Sequence, residues 1–224
     1  RSLASEASTP SFLRPDGVFA PCDALQRTDA WRTAPPAVAG KVPDVTLEQL
    51  YAALGADGGG PLEDFMARVG GVRAEGCSYT PWVPDPRAPG CRVRKATVNV
   101  PCPPDVPQAI KKLLKLPSAF DVTSVQRLLR RDDEVVLVVN GCCLGAPLGD
   151  AIRAQDAMVF APDPEGGVLL SKWVSVIWVK QVAFGFGPAK RYIEHRAKQQ
   201  SRTSFPTLVQ VLQSAACGAP KEAA

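Results

Sequence analysis

Alternating hydrophobic and polar positions predict a long strand near the C-terminal end of the chain. Within residues 168–179, one side of this strand is apolar except for Lys172 and carries Val168, Leu170, Val174, Val176 and Trp178. The other side carries Leu169, Ser171, Trp173, Ser175 and Ile177. A period of two built from β-branched and aromatic residues is typical of a β-strand.

The period changes to that of a helix after this strand. Pro188 suits the first helical turn, and an apolar stripe follows, formed by Ala189, Tyr192, Ile193 and Ala197. The same stripe resumes farther along with Leu208, Val209 and Leu212. We expect Pro206 to break the helix between the two parts, because proline lacks the N–H that a helix interior needs.

The N-terminal part divides into a linker and two short helices. Residues 1–44 are rich in Pro, Ala, Ser and Asp, which predicts a disordered linker. Thr46 and Gln49 match a capping box that begins one short helix. Residues 55–60, GADGGG, interrupt it, and Pro61 begins a second. The folded domain is predicted to span residues 45–216, with residues 217–224 as a disordered tail.

Between these helices and the last strand, the pattern predicts five further strands, over residues 72–82, 91–100, 120–130, 134–144 and 150–160. Residues 101–118 form a connector that mixes lysines with apolar residues. It fits either a short amphipathic helix packed on its own domain or a surface loop that touches a membrane.

Together, the predicted elements indicate an α+β fold of the helix-grip type, in which about six antiparallel strands curve around one long helix. Such a sheet can enclose an apolar cavity.

Composition and charge exclude little. The 224 residues are 46% hydrophobic, as in ordinary globular proteins. A net charge of +4 is too small to indicate nucleic-acid binding, although it is compatible with an anionic membrane surface. The longest apolar run is shorter than the ~20 residues of a membrane span. Because the chain does not begin with Met, we expect it to be part of a longer protein.

Candidate catalytic groups are sparse. His195 is the single histidine and lies on the polar side of the predicted helix, so we interpret it as a surface residue. Cysteine–histidine or serine–histidine catalysis would have only this base available, and no spacing suggests a carboxylate pair. The seven cysteines contain no CxxC pair and are interpreted as small buried hydrophobic residues. We therefore expect no enzymatic activity, no cofactor and no metal.

Short segments spread over residues 45–212 resemble, in order, the VASt domain (also called Aster or StART-like) of GRAM-containing lipid-transfer proteins. The matching segments are PLEDFM at 61–66, YTPW at 79–82, GCR at 90–92, VTSVQ at 122–126, GAPLGD at 145–150, the last strand at 173–180 and KRYIE at 190–194. Ser124 stands where the family has a glutamate. Each segment is weak alone, and the resemblance rests on their order and spacing.

The resemblance implies that the chain binds a sterol or another lipid and transfers it between membranes. It implies a cytosol-facing domain of a membrane-associated protein, at endoplasmic reticulum contact sites, that is monomeric in isolation. The expected lipid-binding residues are Leu54, Leu62, Phe65, Met66, Trp82, Val98, Val138, Val174, Val176, Trp178, Tyr192 and Ile193. A lid would hinge at Gly58, Gly59 and Gly60. The expected membrane-docking residues are Lys111, Lys112, Leu113, Leu114 and Lys115.

An alternative remains open at this point. Large inward-facing residues, among which Trp173 and Trp178 are candidates, could fill the cavity. The domain would then be a protein-interaction or membrane-tethering module of the same fold.

Overall fold

The structure is a computed structural model that describes residue 19, residues 29–181 and residues 186–218. Its strands are β1 Val38–Val42, β2 Cys77–Tyr79, β3 Val83–Pro84, β4 Cys91–Pro101, β5 Ala119–Arg130, β6 Val135–Cys142, β7 Ile152–Pro162 and β8 Val168–Trp178. Its α-helices are α1 Leu47–Leu54, α2 Gly60–Gly70, α3 Gln108–Leu114 and α4 Gly187–Gly218. Two 3-10 turns, Ala30–Thr33 and Ala74–Gly76, complete the elements of the described residues.

The strands form one open antiparallel sheet in the order β1-β8-β7-β6-β5-β4-β2, with β3 also beside β4. Strands β4 to β8 follow one another as a meander. The chain crosses from β1 at one edge to β2 at the other through α1 and α2. The predicted α+β class with a long C-terminal helix is confirmed.

The predicted strands from residue 91 onward match β4 to β8 closely, but the predicted strand at 72–82 is largely wrong. Its first half contains the turn Ala74–Gly76, and only Cys77–Tyr79 pairs with β4. The pairing resumes at Val83. Pro81 lies in the gap and has no N–H to donate to a neighbouring strand, which explains why the ladder is interrupted.

The fold begins earlier than the predicted boundary at residue 44. Strand β1 pairs with β8, placing Val38 opposite Lys172 and Val42 opposite Val168. Upstream of it, Trp31 packs on Trp173 with ring centroids 4.9 Å apart. Residues 29–42 are therefore part of the domain and not of a linker. Apart from Phe19, the rest of the predicted linker lies outside the described residues.

Helix α4 runs through Pro206 without ending, so the predicted break is wrong. The hydroxyls of Thr203 and Ser204 donate to carbonyl oxygens in the preceding turn. Beyond the proline, Leu208 and Leu212 are buried in the core. Packing of this apolar face outweighs the local cost of the proline. The helix also continues to Gly218, two residues into the predicted tail, while residues 219–224 lie outside the described residues.

The sheet has two covered faces, and β6 shows them most clearly. Val135 and Leu137 pack against residues of α1 and α4, such as Leu50 and Leu212. We call this side the inner face. Between them, Val136 points the other way and packs near Trp31. We call that side the outer face.

Candidate functional site

A cavity of about 230 Å³ lies between the inner face of the sheet and helices α2 and α4. We call it the central cavity. Helix α2 contributes the side chains of Leu62, Phe65 and Met66. The apolar part of the opposite wall comes from the sheet and includes Val98, Val100, Val122, Val139 and Met158. The wall is therefore mostly hydrophobic, as in sites that bind apolar ligands.

A few polar groups interrupt this apolar wall. Lys172, only 4% exposed, forms an ion pair with Asp156 at 2.9 Å between Nζ and Oδ2. Its ammonium group also lies 5.8 Å from the ring centre of Phe65. Ser124 and Gln126 line the same cavity. Because the ion pair is neutral overall, these groups offer hydrogen-bonding partners without a large net charge.

A second cavity of about 350 Å³ adjoins the first, and we call it the end cavity. Val100, Val122, Gly141 and Ala154 line both cavities. The remaining lining of the end cavity is apolar and includes Ile110, Leu116, Phe120, Tyr192 and Ile193. Ala154 lies within β7, at its third residue, yet its side chain is exposed. Its methyl group faces unfilled space, although strands flank it on both sides.

Arg94 ties the glycine-rich loop between α1 and α2 to the sheet. Its guanidinium donates to the carbonyl oxygens of Ala56 (3.3 Å) and Gly58 and to Gln126 Oε1 (2.8 Å). It also lies 4.3 Å from the ring centre of Trp82, whose indole N–H donates to the same Ala56 oxygen at 3.3 Å. Burial lowers the pKa of Arg94 to about 10, so the group stays charged at neutral pH. The loop is held by a buried cation.

Arg94 is a functional residue that sequence reasoning missed. It has the same strand parity as Ala96, Val98 and Val100, so it is a charged residue on an apolar side of β4. A charged residue among apolar ones on the same side of a strand could have identified Arg94 from the sequence. Lys172 is likewise a charged residue on an otherwise apolar side of β8.

The expected hinge glycines lie at the start of α2 and line neither cavity. Gly58 and Gly60 have left-handed φ angles of 77° and 52°, which favour glycine. Gly59 has an ordinary φ, but an added Cβ would lie 2.3 Å from Glu63 Cβ. Since α2 carries three lining residues of the central cavity, a hinge here would move one wall of that cavity.

The structure brings six of the twelve expected lipid-binding residues to the two cavities. Four line the central cavity, namely Leu62, Phe65, Met66 and Val98. Two line the end cavity, Tyr192 and Ile193.

The other six lie elsewhere. Leu54 is part of the apolar core, and Trp82 is the partner of Arg94 described above. Val138, 6% exposed, lies on the outer face and lines neither inner-face cavity. Val138 and its neighbour Val139 point to opposite faces of the sheet, and Val139 does line the central cavity.

The three expected residues on β8 lie beyond the cavity walls. Val174 lines a groove at the edge of the sheet. Val176 has the same parity, but it lines none of the cavities described here. The Trp178 indole donates to Glu194 Oε1 of α4 at 2.8 Å, and Lys190 lies over its ring. Neither Trp173, on the outer face, nor Trp178 fills the two cavities.

Helix α3 and the residues just after it cover the end cavity and carry the expected docking lysines. Ile110 and Leu116 face the cavity. Lys112 and Lys115 are exposed, whereas Lys111 donates to the Pro104 carbonyl oxygen at 3.2 Å. The side chains of Leu113 and Leu114 lie outside the described part of the chain. This segment therefore packs on its own domain and presents cations outward.

The outer face is organised differently. Phe19 and Trp31 cover apolar positions of the sheet there. Asp85, 5% exposed, binds the guanidinium of Arg127 at 3.1 Å. Burial alone would raise the pKa of Asp85, but the hydrogen bonds from the Arg87 amide and from Arg127 outweigh it and lower the pKa. The cavity at this site measures only about 90 Å³.

Across the described ranges 29–181 and 186–218, the helices include none with the length and hydrophobicity to cross a bilayer. No protein-family model and no curated protein matches this sequence.

Proposed function

We propose that this chain is a StART-like domain of the VASt type, with a helix-grip fold, and that it binds a lipid inside the central and end cavities. The observation that carries the proposal is the continuous apolar lining beneath α2, α3 and α4, interrupted by one small group of polar side chains. The ligand is a molecule with a large apolar body and one small polar group, and a sterol fits that description.

Stability alone does not explain these cavities. An enclosed apolar void costs about 24 cal/mol per Å³, so a fully enclosed volume of 230 Å³, that of the central cavity, would cost about 5.5 kcal/mol. Larger side chains at Gly141 or Ala154 would remove much of that cost. A ligand that buries roughly 500 Å² would gain about 12 kcal/mol at about 25 cal/mol/Å². Association takes back several kcal/mol, and the remainder can compete with a membrane.

The polar group of the ligand binds at the wall formed by Ser124, Gln126 and the Asp156–Lys172 pair. A hydroxyl group can donate to the Asp156 carboxylate and accept from a neighbouring donor. A ligand with a full negative charge would have to compete with Asp156 for Lys172. A neutral hydroxyl therefore suits this wall better than a phosphate does.

The position of α3 supports lipid transfer between membranes. The exposed Lys112 and Lys115 attract an anionic membrane surface, and the cover of the end cavity lies directly beneath them. The domain carries lipid between membranes without catalysis. It is the cytosol-facing part of a longer, membrane-associated protein at endoplasmic reticulum contact sites.

Native mass spectrometry of the chain purified from a sterol-containing host, with lipid extraction alongside, tests the proposal. We expect a bound sterol in about one-to-one ratio, and its loss in Ala154→Phe, which places a ring where the two cavities meet. A bound phospholipid would replace the sterol as the ligand but would still support the proposal that the domain carries a lipid. A ligand-free mass, with no uptake from sterol-loaded vesicles, would overturn the proposal and favour an interaction module of the same fold.

A further inference from the structure

Strand β8 has a free edge beyond the end of its pairing with β1. The ladder between them runs from Val42–Val168 to Val38–Lys172. One more bond follows, from the Ala37 N–H to the Lys172 carbonyl oxygen at 2.8 Å. The preceding Pro35 and Pro36 have no N–H, so they cannot extend the ladder. Within the described part of the chain, residues 173–178 of β8 therefore pair only with β7.

The direction of the Lys172 carbonyl shows which main-chain groups face this edge. In an antiparallel sheet, every second residue directs its N–H and C=O toward the same neighbouring strand. Lys172 faces β1, so Val174 and Val176 face the same way, past the point where β1 has ended. Among the described residues, none forms a hydrogen bond with the main chain of Val174 or Val176 on that side.

A groove of about 540 Å³ runs along this edge. Trp31, Pro35, Pro36 and Trp173 form one wall, on the outer-face side. Lys198 and Arg202 of α4 form the other wall. An extended chain rises by about 3.3 Å per residue, so the free part of β8 can pair with a segment of about six residues. The groove has the shape and the main-chain groups to accept one more strand.

The charges on the groove indicate what kind of strand it accepts. Lys198 and Arg202 are both exposed, and neither forms an ion pair with a carboxylate of the described residues. The Arg202 guanidinium instead donates to the Ala37 carbonyl oxygen at 3.3 Å, which holds it over the groove. Two unpaired cations beside an open strand edge select an acidic partner.

We propose that the edge of β8 at Val174 and Val176 binds an extended acidic peptide segment of a partner protein by adding it as a strand. Main-chain hydrogen bonds from these two residues provide the pairing, and Lys198 and Arg202 select the acidic side chains. This site lies outside the central and end cavities, and it does not depend on a lipid.

Amide hydrogen exchange followed by NMR on the intact chain tests the proposal directly. In the free chain we expect fast exchange at Val174 and Val176 and slow exchange at Ser175 and Ile177, which face β7. The probe is a six-residue peptide of alternating Glu and Val. We expect it to slow exchange at Val174 and Val176 by about tenfold or more, since each amide gains a hydrogen bond. A Lys-Val peptide should bind at least about tenfold more weakly.

Matched variants separate pairing from charge. Val176→Pro removes one outward N–H, a change that edge strands tolerate, whereas Val176→Thr keeps it. We expect Val176→Pro to weaken peptide binding by about tenfold and Val176→Thr to leave it near normal. Lys198→Glu should weaken binding about three- to tenfold. Arg191→Glu, an equal charge change on α4 outside the groove, should have little effect.

Three outcomes would overturn the proposal. Slow exchange at Val174 and Val176 in the free chain would mean that the edge is already covered, either by another part of this chain or by a second copy, which the molar mass in solution would distinguish. Peptide binding without slower exchange at these amides would place the contact elsewhere. Equal binding of a Glu-Val peptide carrying N-methyl groups at alternate residues would exclude strand pairing.

Discussion

The two faces of the sheet are built from the same strands, but they are filled in opposite ways. On the outer face, away from the groove at the edge of β8, aromatic side chains and the buried Asp85–Arg127 pair leave a cavity of only about 90 Å³. On the inner face, four helices cover the sheet and still leave cavities of about 230 and 350 Å³. The face with more covering structure is therefore the less completely packed one.

Two alanines of β7 show the contrast at the level of single residues. Ala157 faces the outer side and is 1% exposed, whereas Ala154 faces the inner side and is exposed to the cavities. They lie three residues apart on one strand. The difference teaches that close packing on the outer face supports the fold, while the inner face keeps space that the fold itself does not require.

The largest expected effect comes from breaking the buried charge pair of the outer face. Asp85→Asn leaves Arg127 with a neutral partner and should lower the free energy of unfolding by about 3–5 kcal/mol. Asp150→Asn is the control, because the Asp150–Lys180 pair is exposed to solvent and should contribute little to stability. Urea unfolding at pH 7 measures both. Equal, small effects would mean that the outer face does not depend on this pair.

The same carboxylate makes stability depend on pH. The pKa of Asp85 is lowered in the folded chain, so its contribution is fully present above the ordinary aspartate pKa and is lost as the pH falls through the lowered value. Glu134 contributes to stability with the same pH dependence. Burial alone would raise its pKa, but the hydrogen bonds and charges of Arg32 and Arg131 outweigh burial and lower it. Unfolding free energy should therefore fall as the pH is lowered from about 5 to 3, and less steeply in Asp85→Asn.

A pair of matched substitutions tests the packing contrast itself. Ala157→Phe inserts a ring into the filled outer face and should destabilise the chain by about 1–3 kcal/mol. Ala154→Phe places the same ring in open space on the inner face and should leave stability unchanged or higher, while lipid uptake is lost. Thermal unfolding and uptake of a fluorescent sterol measure the two effects. Similar destabilisation by both variants would contradict the assignment of empty space to the inner face.

The smallest expected effect concerns the loop that Arg94 holds over the inner face. Gly58→Ala adds a methyl group that meets no atom within 4 Å, so only the left-handed φ of 77° opposes it. We expect a loss of about 1 kcal/mol and a change in the rate of lipid transfer larger than the change in equilibrium binding. Gly145→Ala, equally uncrowded but without a left-handed φ, is the control. Unchanged transfer in Gly58→Ala would argue against a hinge at this loop.

Local features were predictable because local chemistry determines them. The Thr46–Gln49 capping box forms as expected, with both of its hydrogen bonds present. The alternating strands from residue 91 onward, such as β4 and β8, were found from their period of two. Lys172 stood out as a polar residue on an apolar side, and it is now a polar group of the central cavity.

Features that depend on distant partners were not predictable in the same way. Strand β1 has only five residues and a weak pattern, and its hydrogen bonds come from β8, about 130 residues later in the chain. Val138 was assigned to the inner face although its neighbour Val139 lies there. In a continuous apolar run such as residues 135–139, the odd-numbered and even-numbered positions are equally hydrophobic. The pattern therefore does not show which side of the strand faces the helices.

The sequence by itself determined the order of the strands from residue 91 onward, the capped start of α1 and the apolar stripe of α4, because each follows from residues close together in the chain. Only the tertiary structure decided which side of each strand lies under the helices, that the N-terminal segment completes the sheet, and that space remains at Gly141 and Ala154. The physical reason is that burial, strand pairing and cavity volume are properties of surfaces that meet in space, and residues far apart in sequence build each of those surfaces.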